Sequence, residues 1–306
     1  MSIVNNTRVA TWDMIGNKMS TTKIDEVLEK ANLLYTVSNQ SIYTKIGDTE
    51  QKINNKFAIV RDSDNHLYNV VSDKYTILQN EQAFDFIKYI DEDIEFVNAG
   101  ETKSGFIYVI GKLKTFDILG DKFTTYVIFQ NSHTAKHSLS MTVCPLRFVC
   151  KNQFRLMFKE SNNTFTIKHT RNIESKVANA ATTLNTVHEY MNIFEAKANE
   201  FASTKVSSNQ ITKFIESMFP ITEHTGDLAK NRIELERAKF INAYNHDDNG
   251  NFKGSVWGLL NGISDYTTHN ESVRKIDDKD EKKFVHSILY DDTLNNAMGI
   301  AQKILI

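Results

Sequence analysis

Ile24, Val27, Leu28 and Ala31 fall at i, i+3, i+4 and i+7 behind Thr21-Thr22, which predicts a capped helix with one buried face. The next stretch, Tyr35-Thr36-Val37-Ser38-Asn39, alternates apolar and polar and reads as a strand. Phe57 to Arg61 and Leu67 to Val71 flank the polar cluster Asp62-Ser63-Asp64-Asn65, the pattern of a β-hairpin. Asn80 is placed to cap a second helix with the apolar face Ala83, Phe84, Ile87 and Ile90. Strand patterns follow at Ile94–Val97, Phe106–Leu113, Phe123–Phe129 and Leu139–Val143, with Gly100, Gly105, Gly111 and Gly120 expected at turns or bulges.

After about residue 172 the period changes. Val177, Ala181, Leu184, His188 and Met191 keep helical spacing within 173–205, and further helices fit 211–219, 228–244, 255–266, 282–289 and 293–304. Asp247-Asp248-Asn249-Gly250-Asn251 reads as a loop. The expected class is α+β: a mainly antiparallel sheet with packed helices in 1–172, then a helical region, 173–306, packed on or extending it.

Composition narrows the class. Hydrophobic residues make up 41% and charged residues 24%, enough to build a core, and only 2 prolines and 12 glycines argue against long disordered linkers. No apolar run approaches membrane-spanning length, and Asn5, Asn6 and Thr7 stand where a secretory signal needs an apolar core. Two cysteines, Cys144 and Cys150, do not make a disulfide framework, so a reducing cytoplasm and no membrane partner are expected.

Charge is uneven. Residues 1–100 carry 10 basic and 15 acidic side chains, residues 101–176 carry 12 and 5, and residues 177–306 carry 14 and 18. A chain of net charge -2 thus contains a middle segment of +7, where attraction for an anionic partner is concentrated. Within it Arg147, Lys151, Arg155 and Lys159 recur every four residues, with Phe148, Phe154 and Phe158 between them and Lys168 and Arg171 beyond. Cations alternating with rings suit single-stranded nucleic acid: phosphates need charge, and Phe148 or Phe154, if exposed, stacks a base. The alternative is ordinary: phenylalanines in a core and cations on a solvated face.

Other constellations are weaker. His133, His137, Cys144 and Cys150 are ligand types acceptable to zinc, but Cys-x5-Cys is not the short knuckle of a zinc site, and no metal or cofactor is expected. Gly100 to Gly105 lacks the glycine-lysine pair of a phosphate loop, and the acidic run Asp91, Glu92, Asp93 and Glu95 reads as a solvated cap. The stretch Trp257 to His269 reads as an amphipathic helix aligning Asn261, Asp265 and His269, whose simplest role is a hydrogen-bonded network closing the helical half onto the sheet.

Several spaced segments together resemble a known family. They are Ala10-Thr11-Trp12, Ala31 to Val37, Val71 to Tyr75, Gln79 to Phe84, Asn131-Ser132-His133, Pro145 to Asn152, Ile167 to Thr170 and Trp257 to His269. In this order they resemble the phage/plasmid-like proteins that share a domain of unknown function, number 932. The resemblance implies a mobile-element origin, a structural role for Asn131, Ser132, His133, Cys150, Asn152, Trp257, Asn261 and His269, and a distant similarity to single-strand annealing proteins, which bind DNA as oligomeric rings. One departure stands out: Thr134-Ala135-Lys136 follows His133 where the family has an Asp-Gly-type turn.

The expected function is a non-enzymatic protein binding single-stranded DNA through Arg147, Lys151, Arg155, Lys159, Lys168 and Arg171, homo-oligomeric, and acting in phage or plasmid replication, recombination or annealing. Two alternatives stay open: a counter-defence or regulatory protein that binds a host defence protein, and a metal-dependent enzyme using His133, His137 or the acids near Asp91.

Overall fold

Antiparallel pairing between sequence neighbours builds most of the sheet structure. The computed structural model describes residues 10–89, 93–147, 153–154, 156, 164–170, 173, 185–270, 280–282, 284–285 and 292–305. Strands β1 (Asn17–Thr21), β5 (Glu95–Glu101), β6 (Phe106–Ile118), β7 (Asp121–Ser132), β8 (Leu139–Arg147) and β9 (Thr164–Ile167) form a six-stranded sheet in the order β1-β5-β6-β7-β8-β9. Strands β2 (Val37–Ile46), β3 (Thr49–Arg61) and β4 (His66–Ser72) form a separate three-stranded sheet. Helices α1 (Ile24–Lys30) and α2 (Asn80–Phe84) lie between strands, and α3 (Asn185–Ser203), α4 (Ser208–Met218), α5 (Asp227–Asn245), α6 (Val256–Asp265) and α7 (Asp292–Leu305) follow them. This is the α+β arrangement that the pattern predicts.

The large sheet has two covered faces. Ile107, Val109, Val127, Phe129, Met141 and Val143 share one face, because alternate residues of a strand point the same way, and they join the helices in one continuous core. Phe106, Tyr108, Ile110, Ile128, Cys144 and Leu146 occupy the other face with Trp12 and Phe284. The Asn98 amide fixes the N-terminal turn there, donating to the carbonyls of Trp12 (2.7 Å) and Ile15 (3.0 Å). A sheet buried on both sides needs near-continuous apolar strands, and β8 is buried at every position.

The helical half meets the sheet through rings. Phe194 of α3, Trp257 of α6, Phe123 of β7 and Phe154 lie with centroids 5.2 to 6.1 Å apart, and Phe154 stacks on Trp257. Helix α6 is buried at all ten positions. The amphipathic reading of this segment is therefore corrected: it has no solvated side, and its glycines allow the approach. A Cβ on Gly258 would stand 2.1 Å from the Phe252 carbonyl oxygen. Ser264 Oγ, not one of the aligned Asn261, Asp265 and His269, donates to the Gln153 carbonyl (2.8 Å).

Several local expectations change. The hairpin around Asp62–Asn65 forms, with Arg61 opposite His66 and Asn65 at φ 58°. The second helix begins at Asn80, but Gln79 holds the cap position and the Asn80 amide instead donates to the Leu33 carbonyl at 3.1 Å. Gly100 lies inside β5 rather than at a turn, whereas Gly111 sits at the bulge where the β5–β6 register shifts, and a Cβ on it would meet Ile94 at 2.4 Å. The Asp247 cluster is a 3-10 turn, Asp247–Phe252. No helix among the described residues is long and apolar enough to cross a membrane.

Candidate functional site

The basic stretch divides. Arg147 ends β8, where pairing sets it opposite Phe123, two residues from Asp121. Its Nε donates to the Asp121 carboxylate, its Nη2 donates to the Asp248 carbonyl, and its guanidinium lies 5.7 Å from the Phe252 ring centroid. The side chains of Arg147 and Asp121 are 5% and 7% exposed. Burial pushes the Asp121 carboxyl up, and the adjacent guanidinium offsets only part of that rise. Arg147 is thus an internal ion pair that ties the sheet to the helical half.

Phe154 is corrected likewise. It is fully buried against Trp257, because its place between β8 and α6 is the middle of the ring cluster, and it has no face open to a base. Lys168 is exposed just beyond β9, the edge strand of the large sheet. Phe148, Cys150, Lys151, Asn152, Arg155, Lys159 and Arg171 lie outside the described residues. Upstream in the positive segment, Lys114, Lys122 and Lys136 are exposed, while Lys112 pairs with Glu95 at 3.0 Å.

A second assembly forms where β7 ends. Asn131, Ser132 and His133 are fully buried. The Asn131 amide donates to Asn80 Oδ1 (3.1 Å), and His133 Nε2 lies 3.1 Å from the same oxygen. An amide oxygen only accepts, so the His133 proton sits on Nε2 and leaves Nδ1 as an acceptor with no partner. The imidazole lies between Tyr68 and Tyr35, at centroid distances of 5.4 and 6.0 Å. Burial, with His169 and Arg61 nearby, pushes its pKa down to about 3, so it is neutral.

Around this ring the two sheets exchange polar contacts. Tyr35 donates to Glu101 Oε2 (2.9 Å), and Arg61 Nη1 donates to the same oxygen (3.0 Å). The Tyr68 hydroxyl lies 2.8 Å from Glu101 Oε1 and 2.9 Å from the Tyr35 oxygen, and its single proton serves one of them at a time. Arg61 also stands over the Tyr35 ring at 5.0 Å and pairs with Asp64 at 2.8 Å. Burial and the Glu101 charge hold both tyrosines protonated. His169 stacks on Tyr75 (5.2 Å, 6°), burial lowers its pKa, and the Tyr75 hydroxyl donates to the Ser132 carbonyl (3.1 Å). The motif residues Asn131, Ser132 and His133 therefore sit at an enclosed seam that fixes the small sheet on the large one.

The turn leaving the seam carries the departure noted in the sequence. Ala135 has φ 58°, the left-handed region where a Cβ is disfavoured and glycine is at ease. Gly105, at φ 75°, faces it; a Cβ there would stand 2.5 Å from the Thr134 methyl. Arg61, Tyr68 and Glu101 escaped sequence reasoning, since no motif links them and only the sheet-to-sheet packing brings them together; Tyr35 and Asn80 lay in motif segments, but nothing in the sequence joined them to His133. Asn261 and Trp257 are buried in α6, and His269 follows in its extension, Tyr266–Asn270. Among the described residues no group of three His, Cys, Asp or Glu side chains is placed to hold a metal ion. Cys144 lies buried in the sheet's second core.

A sequence model of the family described as Domain of unknown function (DUF932) matches residues 67–289. No curated protein and no solved structure matches the chain.

Proposed function

This chain belongs to the DUF932 family, and on that premise we propose that it is a non-enzymatic nucleic-acid-binding protein of a phage or plasmid, with single-stranded DNA as its partner in replication, recombination or strand annealing. The observation that carries the reading is the segment 101–176, with 12 basic and 5 acidic residues between two acidic flanks. The described part of that segment leaves Lys114, Lys122, Lys136 and Lys168 exposed. A polyanion is drawn to such a surface by phosphate neutralisation and counterion release.

The assignment of roles is narrower than spacing alone suggests. Lys168 is a phosphate contact, and Lys151, Arg155, Lys159 and Arg171 extend the track by their spacing. Arg147 is excluded because Asp121 holds its guanidinium inside the fold. Base stacking rests on Phe148, since Phe154 is enclosed.

The test is anisotropy of a labelled single-stranded oligonucleotide titrated at several salt concentrations. The expected result is affinity falling linearly in log–log form, with a slope of about -0.7 per phosphate neutralised. Absence of binding at low salt, or binding indifferent to salt, overturns the reading.

A further inference from the structure

Large apolar side chains are exposed unevenly over this molecule. Leu67 is 55% exposed and Val70 48%, and both belong to the small sheet. Pairing places them on one side of it. Gln40, Ala58 and Val70 are cross-strand neighbours, as are Ser38, Val60 and Leu67, so these six share a face. The opposite face, with Val37, Ile59 and Val71, is the buried one that packs against Tyr35, Tyr68 and Tyr75.

The charges on the outer face are arranged end to end. Lys56, opposite Ser72, is the cation at one end. At the other end Ser38 and Thr36 donate to the Asp62 carboxylate (2.5 and 2.8 Å), which draws it to this side and lowers its pKa, so it is ionised at neutral pH. Asp62 lies six positions beyond Lys56, about 20 Å along the strand, with Ala58 and Val60 between them. An uncharged apolar centre offers little to a polyanion, whereas a positive end and a negative end make the face complementary to itself.

We propose that the outer face of the β2–β4 sheet is the interface with a second copy of this chain. A two-fold axis crossing the strands sets Lys56 of each copy against Asp62 of the other and packs Ala58, Val60, Leu67 and Val70 sheet on sheet, at about 10 Å. The inference does not depend on nucleic-acid binding.

Sedimentation velocity of the full chain without DNA, over a concentration series, tests it. The expected result is a wild-type dimer and a monomeric Val70→Glu variant with an unchanged far-ultraviolet circular dichroism spectrum, since Val70 is a surface residue. Lys56→Asp weakens association, and Lys56→Asp combined with Asp62→Lys restores it. A monomeric wild type throughout the series, a Val70→Glu variant that still dimerises, or a charge-swapped double variant that stays monomeric would overturn the proposal.

Discussion

The Arg147 guanidinium is bonded through Nε to the Asp121 carboxylate, and both side chains are almost wholly enclosed. Removing one partner strands the other charge in a low-dielectric site. Arg147→Met is expected to destabilise the fold by about 3–5 kcal/mol. Combining it with Asp121→Leu recovers most of that loss, because the pair then leaves together. Urea unfolding of the three variants checks the cycle, and equal losses in the single and double variants would contradict it.

This pair shows where sequence reading stopped. The spacing of Arg147, Lys151, Arg155 and Lys159 is local, whereas Asp121 lies 26 residues upstream and meets Arg147 through the β7–β8 register. A four-residue period cannot tell a cation that faces solvent from one that faces a carboxylate across a sheet. The helices α1, α4, α5 and α7 and the strands β5 to β8 were legible because each buries an apolar face against one core. The outer parts of β2 and β3, from Gln40 to Lys56, were not, since that ribbon buries neither face and is held by cross-strand backbone bonds, with Ile46 opposite Thr49 across Gly47-Asp48. The seam was half legible: Asn131-Ser132-His133 and the segment holding Tyr35 stood out as motifs, but Tyr68 and Glu101 joined them only through packing.

Phe154 stacks on Trp257 with centroids 5.2 Å apart and also touches Phe123 and Phe194. Phe154→Ala opens a cavity in the layer that joins the sheet to α3 and α6. The expected cost is about 3–5 kcal/mol, read as a lower urea midpoint at unchanged slope. A small loss of stability accompanied by a large loss of DNA affinity would instead mark Phe154 as a base-stacking residue.

Lys168 offers the complementary test on the surface. It is exposed beyond the edge strand β9, so Lys168→Ala should leave the urea midpoint unchanged. If it contacts a phosphate, the salt slope for single-stranded DNA falls by about 0.7 and affinity drops alike for all sequences. An unchanged slope would remove Lys168 from the track.

His133 makes stability depend on pH. In the fold its pKa is pushed down to about 3 by burial, while in the unfolded chain it returns to about 6.5. Between those values the unfolded state binds the proton and the folded state does not, so stability rises with pH across this window. The contribution is complete above about pH 6.5 and is lost progressively as pH falls toward 3. From pH 7 to pH 5 the loss is about 2 kcal/mol, at roughly 1.4 kcal/mol per unit below the unfolded value. His169, also buried with a lowered pKa, acts in the same direction. Gln at position 133 keeps an N–H to donate to Asn80 Oδ1 but does not titrate. His133→Gln should therefore flatten the fall in melting temperature between pH 7 and pH 5, and a profile as steep as wild type would show that His133 is not what acid attacks.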